Sequence, residues 1–433
     1  MPARRSATAA LLAAAALLGV PEPAGAQVAP ALPAAQHVAV TVDRESPRRV
    51  KSVVGLLQGA STSLPESRWI DRLRPALWRG TPEGVPLLRA ARAGARFELV
   101  VSDLWGYPGL DWYGRVAPWR DLDAWRGFVT DLARRYGGRG FVWDVWNEPD
   151  REYSWTGTRA QFHETYRVAA QAIRAAAGPG ETIAGPSVSA FRRGWLSGLV
   201  GFCADRGCAV DALTWHEFAD GTSIIAISRH ARSARALLRS PAGAAVGLRS
   251  VEVNEVGGRG DALLPGEQVA YLDQLERGRV DAAARACWQD PSGTNTCRES
   301  TLDGLLDSDT RRPRAVWWVL EAYGAGVRSR VASRSGHPAL AVLAARRGRG
   351  AQVLLGSFDG HDRHAPGPLA VDLRVRGLAS SAVTVTVTRI PAGGEAAMTP
   401  EPEPSFRLAV DGGAVSVRLP PIALHEAMVV RLS

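Results

Sequence analysis

The sequence predicts an α/β protein, a (β/α)8 TIM barrel carrying a C-terminal β-sandwich domain, and three observations lead there. From about Val50 to Tyr323, eight short runs rich in β-branched residues alternate with longer segments of helical period, the pattern of a parallel sheet with helices outside it. Several of those runs end in polar or aromatic residues, as strands do when their carboxyl ends form a barrel mouth. After Gly326 the hydrophobic period changes to two, which marks an all-β domain.

Residues 1–26 read as a secretory signal: Arg4 and Arg5 form a basic start, Ala9–Val20 is apolar, and Ala24-Gly25-Ala26 is a small-residue cleavage site before Gln27. The mature protein is therefore expected to be secreted or periplasmic. Residues 27–47 form an N-terminal segment in which His37–Val42 alternates and is expected to add a strand to the sandwich. Residues 48–326 hold the barrel, with strands expected at Val53–Leu57, Ala76–Trp78, Phe97–Ser102, Val142–Trp146, Thr182–Ala184, Ala212–His216, Ser250–Asn254 and Ala283–Trp288. Between them, Trp125, Phe128, Val129, Leu132 and Tyr136 make a helical stripe that Gly137-Gly138 ends, and Phe162, Tyr166, Ala170 and Ile173 make another. In residues 327–433, Val383–Thr388 alternates strictly, and Asp411-Gly412-Gly413 is a hairpin turn signal.

At 433 residues the chain suits two or three structural units. Its 52 Lys+Arg exceed 43 Asp+Glu by nine, and Lys51 is the only lysine. The arginines are scattered among acids, with no zinc-finger spacing or basic helical block, so nucleic acid is not an expected partner. No run of about 20 apolar residues follows the signal, so stable membrane insertion is not expected either. The cysteines cluster as Cys203/Cys208 and Cys287/Cys297, and in an exported chain two local disulfides are the simplest of three pairings. Neither pair has metal-ligand spacing, and no metal or organic cofactor is expected.

The chemistry points to carboxylates. In Phe141-Val142-Trp143-Asp144-Val145-Trp146-Asn147-Glu148-Pro149 a strand ends in Asn-Glu-Pro, placing Glu148 at the carboxyl end of the fourth barrel strand. In Val251-Glu252-Val253-Asn254-Glu255 the seventh strand brings Glu255 to the same mouth. Glu252 and Glu217 compete with Glu255, but strand alternation separates Glu252 from it and Glu255 lies nearer the loop. Asp103 and Asp144 are read as structural. Gly185-Pro186-Ser187-Val188-Ser189 does not complete a nucleophile elbow, and neither His163-Glu164 nor His216-Glu217 completes a zinc-protease motif.

This pairing resembles clan A of the glycoside hydrolases, and the Trp-Asn-Glu-Pro run looks most like family 39, that of the β-xylosidases and α-L-iduronidases. The resemblance implies a retaining glycosidase acting on an oligo- or polysaccharide. Glu148 would be the acid/base, with a raised pKa, and Glu255 the nucleophile, kept ionised. It further implies that Asn147 donates to the sugar 2-hydroxyl, that Arg79 supports the nucleophile, and that His216 orients it or the sugar. Trp78, Trp105, Tyr107, Trp112, Tyr113 and Trp288 are expected at strand ends or in the loops after them, where rings stack on sugar faces. The sequence departs from the clan at Phe218: His216-Glu217-Phe218 lacks the tyrosine hydroxyl of the usual His-x-Tyr. The alternative reading is a carbohydrate-binding protein that kept the barrel without turnover.

Overall fold

The computed structural model describes residues 35–81, 85–101, 118–290, 293–297, 299–360 and 367–433. The described chain opens with strand β1 (Gln36–Pro47) and then enters an eight-stranded parallel sheet. In chain order this runs β2 (Gly55–Leu56), α1 (Ser67–Asp71), β3 (Leu77–Gly80), α2 (Val85–Ala93), β4 (Arg96–Val100), α3 (Leu122–Tyr136), β5 (Val142–Asp144), α4 (Arg159–Ala177) and β6 (Thr182–Val188). It continues with α5 (Arg193–Arg206), β7 (Ala212–Glu217), α6 (Ile227–Leu237), α7 (Pro241–Ala245), β8 (Ser250–Val256), α8 (Pro265–Gly278), β9 (Ala282–Arg285) and α9 (Ala315–Gly326). The strand order β2-β3-β4-β5-β6-β7-β8-β9 is the order of the sequence, which is the (β/α)8 arrangement the alternating pattern predicts.

The helices are stopped and started by local chemistry. Asp121 caps α3 by accepting from Ala124 N at 2.9 Å, and Thr158 with Gln161 forms a reciprocal capping box on α4. The α3 stripe buries Trp125, Val129, Ala133 and Tyr136, and leaves Phe128 and Leu132 half-covered at its edge.

The ring is tight where its first and last strands meet. A Cβ built on Gly55 would lie 2.0 Å from the backbone oxygen of Ala283 on β9, so only a glycine fits. Gly55→Ala is expected to destabilise the protein by about 1–3 kcal/mol through this forced overlap, read as a shift of the urea midpoint.

The second sheet has ten strands: β1, then β10 (Arg330–Ser335), β11 (Leu340–Arg347), β12 (Gly350–Ser357), β13 (Leu369–Arg376), β14 (Ala382–Ile390), β15 (Glu401–Pro402), β16 (Phe406–Ala409), β17 (Ala414–Arg418) and β18 (Ala427–Leu432). Their order is β15-β14-β18-β12-β11-β10-β1-β13-β17, with β16 also on β14. Inward residues from distant strands share one core, Val383, Val385 and Val387 of β14 with Val371 and Leu373 of β13, so the sheet folds over on itself as a sandwich. β1 lies inside it, antiparallel to β10 and parallel to β13. The turn at Gly412-Gly413 is present, both glycines at positive φ and Asp411 bridged antiparallel to Ala414 across it, but beyond that bridge β16 pairs with β14 and β17 with β13, so the chain crosses between layers there.

The two sheets meet through α8. Its second residue, Gly266, donates to His425 O at 2.8 Å, and a Cβ there would meet Ser357 O of β12 at 1.9 Å. A buried ion pair, Arg330 with Glu276 at 2.9 Å, spans the same contact. Both local disulfides form, Cys203–Cys208 at the end of α5 and Cys287–Cys297 in the loop after β9. No helix among the described residues is long and apolar enough to cross a membrane.

Candidate active site

The site is built on the carboxyl ends of the barrel strands. After β5 the chain turns sharply at Glu148, whose φ of 50° is in the left-handed region, unusual for a residue with a side chain. Hydrogen bonds hold that conformation: Glu148 N donates to Ser187 O at 2.9 Å, and Arg151 N to Glu148 O at 3.0 Å. The following loop is tied to the end of β6, because Asp150 accepts from Ser189 N at 2.8 Å and pairs with Arg192 at 2.9 Å. Glu148 therefore projects a rigidly held carboxyl group across the mouth.

Glu255 arrives by a different device. Pairing of β7 with β8 runs Trp215 to Val253, then His216 to Glu255, so Asn254 is an extra residue in a β-bulge. On a regular strand, neighbours face opposite sides. Here Asn254 reaches Asp144 inside the barrel at 3.1 Å, while Glu255 accepts from Arg79 at 2.6 Å. The bulge lets both face inward.

Between the two carboxyls stands His216. Its Nδ1 is 3.0 Å from Glu148 Oε1, and its Nε2 is 3.8 Å from Glu255 Oε1. The ring is fully buried, and burial pushes its pKa down to about 4, so it is neutral near pH 7. Nε2 has no hydrogen-bond partner among the described residues.

The two acids differ in surroundings. Burial, with a smaller push from Asp150, raises the Glu148 pKa to about 7, so the acid form persists toward neutrality. Glu255 instead receives the charged guanidinium of Arg79. Arg79 also donates to Asp144 at 2.7 Å and to Asn147 Oδ1 at 2.8 Å, and lies 3.2 Å from Glu98. Burial works against its charge, but Asp144, Glu255 and Glu98 outweigh it and hold its pKa above the ordinary arginine value. By engaging Asn147 through its oxygen, Arg79 leaves the amide nitrogen as the group free to donate.

Beneath the mouth lies a polar core that the sequence reading did not assign. Asn254 donates to Glu98 at 2.9 Å and to Ser187 Oγ at 2.9 Å, and Ser187 Oγ donates to Asp144. Burial and then the neighbouring Asp144 push Glu98 up to about 8. Glu98 had a sequence signal, a carboxyl between the apolar Phe97 and Leu99.

The expected aromatic residues divide. Trp288 sits beside the site: its ring meets Phe218 edge-on at 4.9 Å, and Phe218 meets His216 at 5.1 Å. Trp78 is corrected. It is fully buried in the main core and donates to Gln58 O at 3.2 Å, because alternation turns it outward when Arg79 faces in. Arg79, expected among the substrate-binding groups, is likewise sealed and satisfied by protein partners, so it positions Glu255 and Asn147 instead. Trp105, Tyr107, Trp112, Tyr113 and Asp103 lie outside the described residues. The competitors fall elsewhere: Glu252 pairs with Arg96 near the strand starts, and Glu217 takes Trp215 Nε1 at 2.7 Å and His230 at 3.0 Å.

Residues 106–238, which include Asn147, Glu148 and His216, match the model of Glycosyl hydrolases family 39. That match covers under a third of the chain. A β-xylosidase from Geobacillus stearothermophilus is 30% identical over 115 residues, 25% of this chain and 23% of that protein. The chain thus aligns with about a quarter of the length of this curated protein. Among solved structures, N2152 from Neocallimastix frontalis superposes with a TM-score of 0.73 at 20% identity, covering 92% of this chain and 100% of that one. The GH39 enzyme from Xanthomonas axonopodis pv. citri gives 0.67 at 15% identity, covering 92% and 98%. Both span the barrel and the β-domain of this chain and show the same fold.

Proposed function

We propose that this chain is an exported retaining glycosidase in which Glu148 is the acid/base and Glu255 the nucleophile. The observation that carries the reading is the unequal treatment of two carboxyls flanking one imidazole: burial favours the protonated form of Glu148, while a guanidinium donates to Glu255. In the first step a Glu255 oxygen attacks the anomeric carbon, the bond to the aglycone oxygen breaks, and that oxygen takes the Glu148 proton. Water then attacks the glycosyl ester, giving its proton to Glu148 as the Glu255 carboxylate leaves. Asn147, its oxygen occupied by Arg79, donates to the sugar 2-hydroxyl, and Trp288 offers a ring face. The family relationship and the β-xylosidase similarity support an oligo- or polysaccharide substrate.

Following the first sugar product by NMR tests the mechanism: retained anomeric configuration is expected, and inversion overturns it. Mass spectrometry of the exported protein should find a mature chain starting at Gln27. The pH profile gives a separate check. As pH rises through about 7, Glu148 loses the proton that it must deliver, so kcat/KM should fall along an alkaline limb near that value. Because burial is the main cause of the shift, the limb should move little with added salt.

A further inference from the structure

The end of the barrel opposite Glu148 and Glu255 carries a feature that the hydrolytic site does not use. Where β2 and β9 begin, the residues after β1, helix α6 and the end of α8 enclose a groove of about 640 Å3. Seven of its eleven lining residues are basic and two are acidic. Some of that charge is internally matched: Lys51 and Arg235 share Asp281 at 2.7 and 2.6 Å, and Arg277 pairs with Asp273 at 2.6 Å. Arg49, Arg232 and Arg279 are exposed and have no side-chain partner among the described residues. Cations at helix C-termini complement the macrodipole, which accounts for Arg277 and Arg279. It does not account for Arg49, which is in no helix, or for Arg232 in the middle of α6. Arg49 and Arg232 thus add positive charge to the groove that neither an ion pair nor a helix end accounts for, and an anionic ligand would complement it.

We propose that this groove binds a linear acidic polysaccharide, holding the protein on an anionic polymer through a surface separate from its hydrolytic site. The lining selects among polyanions. It contains no aromatic ring on which a nucleobase would stack, and none of the exposed large hydrophobic residues lines it to enter a lipid layer.

The test is binding of the whole protein to dextran sulfate, with neutral dextran as control, across a salt titration. Wild type should bind only the sulfated polymer. The triple variant Arg49→Ser, Arg232→Gln, Arg279→Asn should bind on the order of ten-fold or more weakly at low salt. Its slope of log affinity against log salt should be about 2 shallower, the loss of three counterion-releasing contacts. A control of equal net charge, Arg126→Gln, Arg134→Gln, Arg206→Gln on α3 and α5, should keep wild-type binding. Equal loss in both variants would mean diffuse attraction to a basic protein and overturns the proposal. So would tighter binding to anionic phospholipid vesicles or to a single-stranded oligonucleotide than to dextran sulfate. Hydrolysis of a small aryl glycoside should be the same in all three proteins, and the binding result stands whether or not that activity is found.

Discussion

Replacing Glu255 by alanine is expected to lower kcat on an aryl glycoside by roughly 10^4- to 10^6-fold, the scale of losing a covalent nucleophile that acts as a unit with its acid partner. The fold should survive, because Glu255 is part-exposed and its removal leaves Arg79 with Asp144, Asn147 and Glu98. Added azide should restore part of the rate by entering the vacated space and attacking from the same face, releasing a glycosyl azide of inverted configuration. Glu252→Gln serves as the comparison. Its carboxyl is engaged by Arg96 at 2.8 Å and by Ser250 at 3.1 Å, so it should weaken the fold and leave kcat nearly unchanged. Full turnover in Glu255→Ala, or a matching collapse in Glu252→Gln, would refute the assignment.

Arg79→Leu is expected to cost about 3–5 kcal/mol of stability, because it strands buried carboxyl groups that one guanidinium now serves. The penalty should shrink on acidification. Burial and Asp144 push Glu98 up to about 8, against the opposing guanidinium of Arg79. Losing that guanidinium raises Glu98 further, and as pH falls through about 8 the carboxyl is protonated with or without Arg79, so urea midpoints for wild type and variant should converge. Activity should be lost as well, since Glu255 loses its donor and Asn147 the contact that sets its amide. A variant as stable as wild type at neutral pH would show that Arg79 is not the charge centre of the barrel.

The sequence shows the barrel because each strand is short, β-branched and bounded, and because strand order in such a fold follows chain order. It shows Glu148 because Asn-Glu-Pro at a strand end is a local pattern. Glu255 is found by spacing, although the feature that aims it, the bulge at Asn254, leaves no local mark: an extra residue in a ladder is a property of two strands together. The same limit hides the network of Glu98, Asp144, Ser187 and Asn254, whose members come from four strands and meet only after closure. Trp78 was legible and misassigned. Parity with Arg79 turns it outward, and an aromatic at a strand end drew attention to residue type ahead of direction. At Gly412-Gly413 the turn chemistry was correct, but a turn specifies how the backbone reverses, not which layer the next strand joins.

The interior place of β1 has a consequence for the order in which the molecule assembles. Val40 pairs with Ser335 on one side and Leu373 on the other, so the first strand waits until nearly three hundred intervening residues have been made before either neighbour exists. Until then its two edges are open, and a chain that begins to collapse from its N-terminus completes the enzyme-like barrel while its opening strand is still unclaimed. Deleting residues 36–47 would cut β13 and β17 off from the rest of the finished sheet, so shortened versions should precipitate while extensions before Gln36 are tolerated.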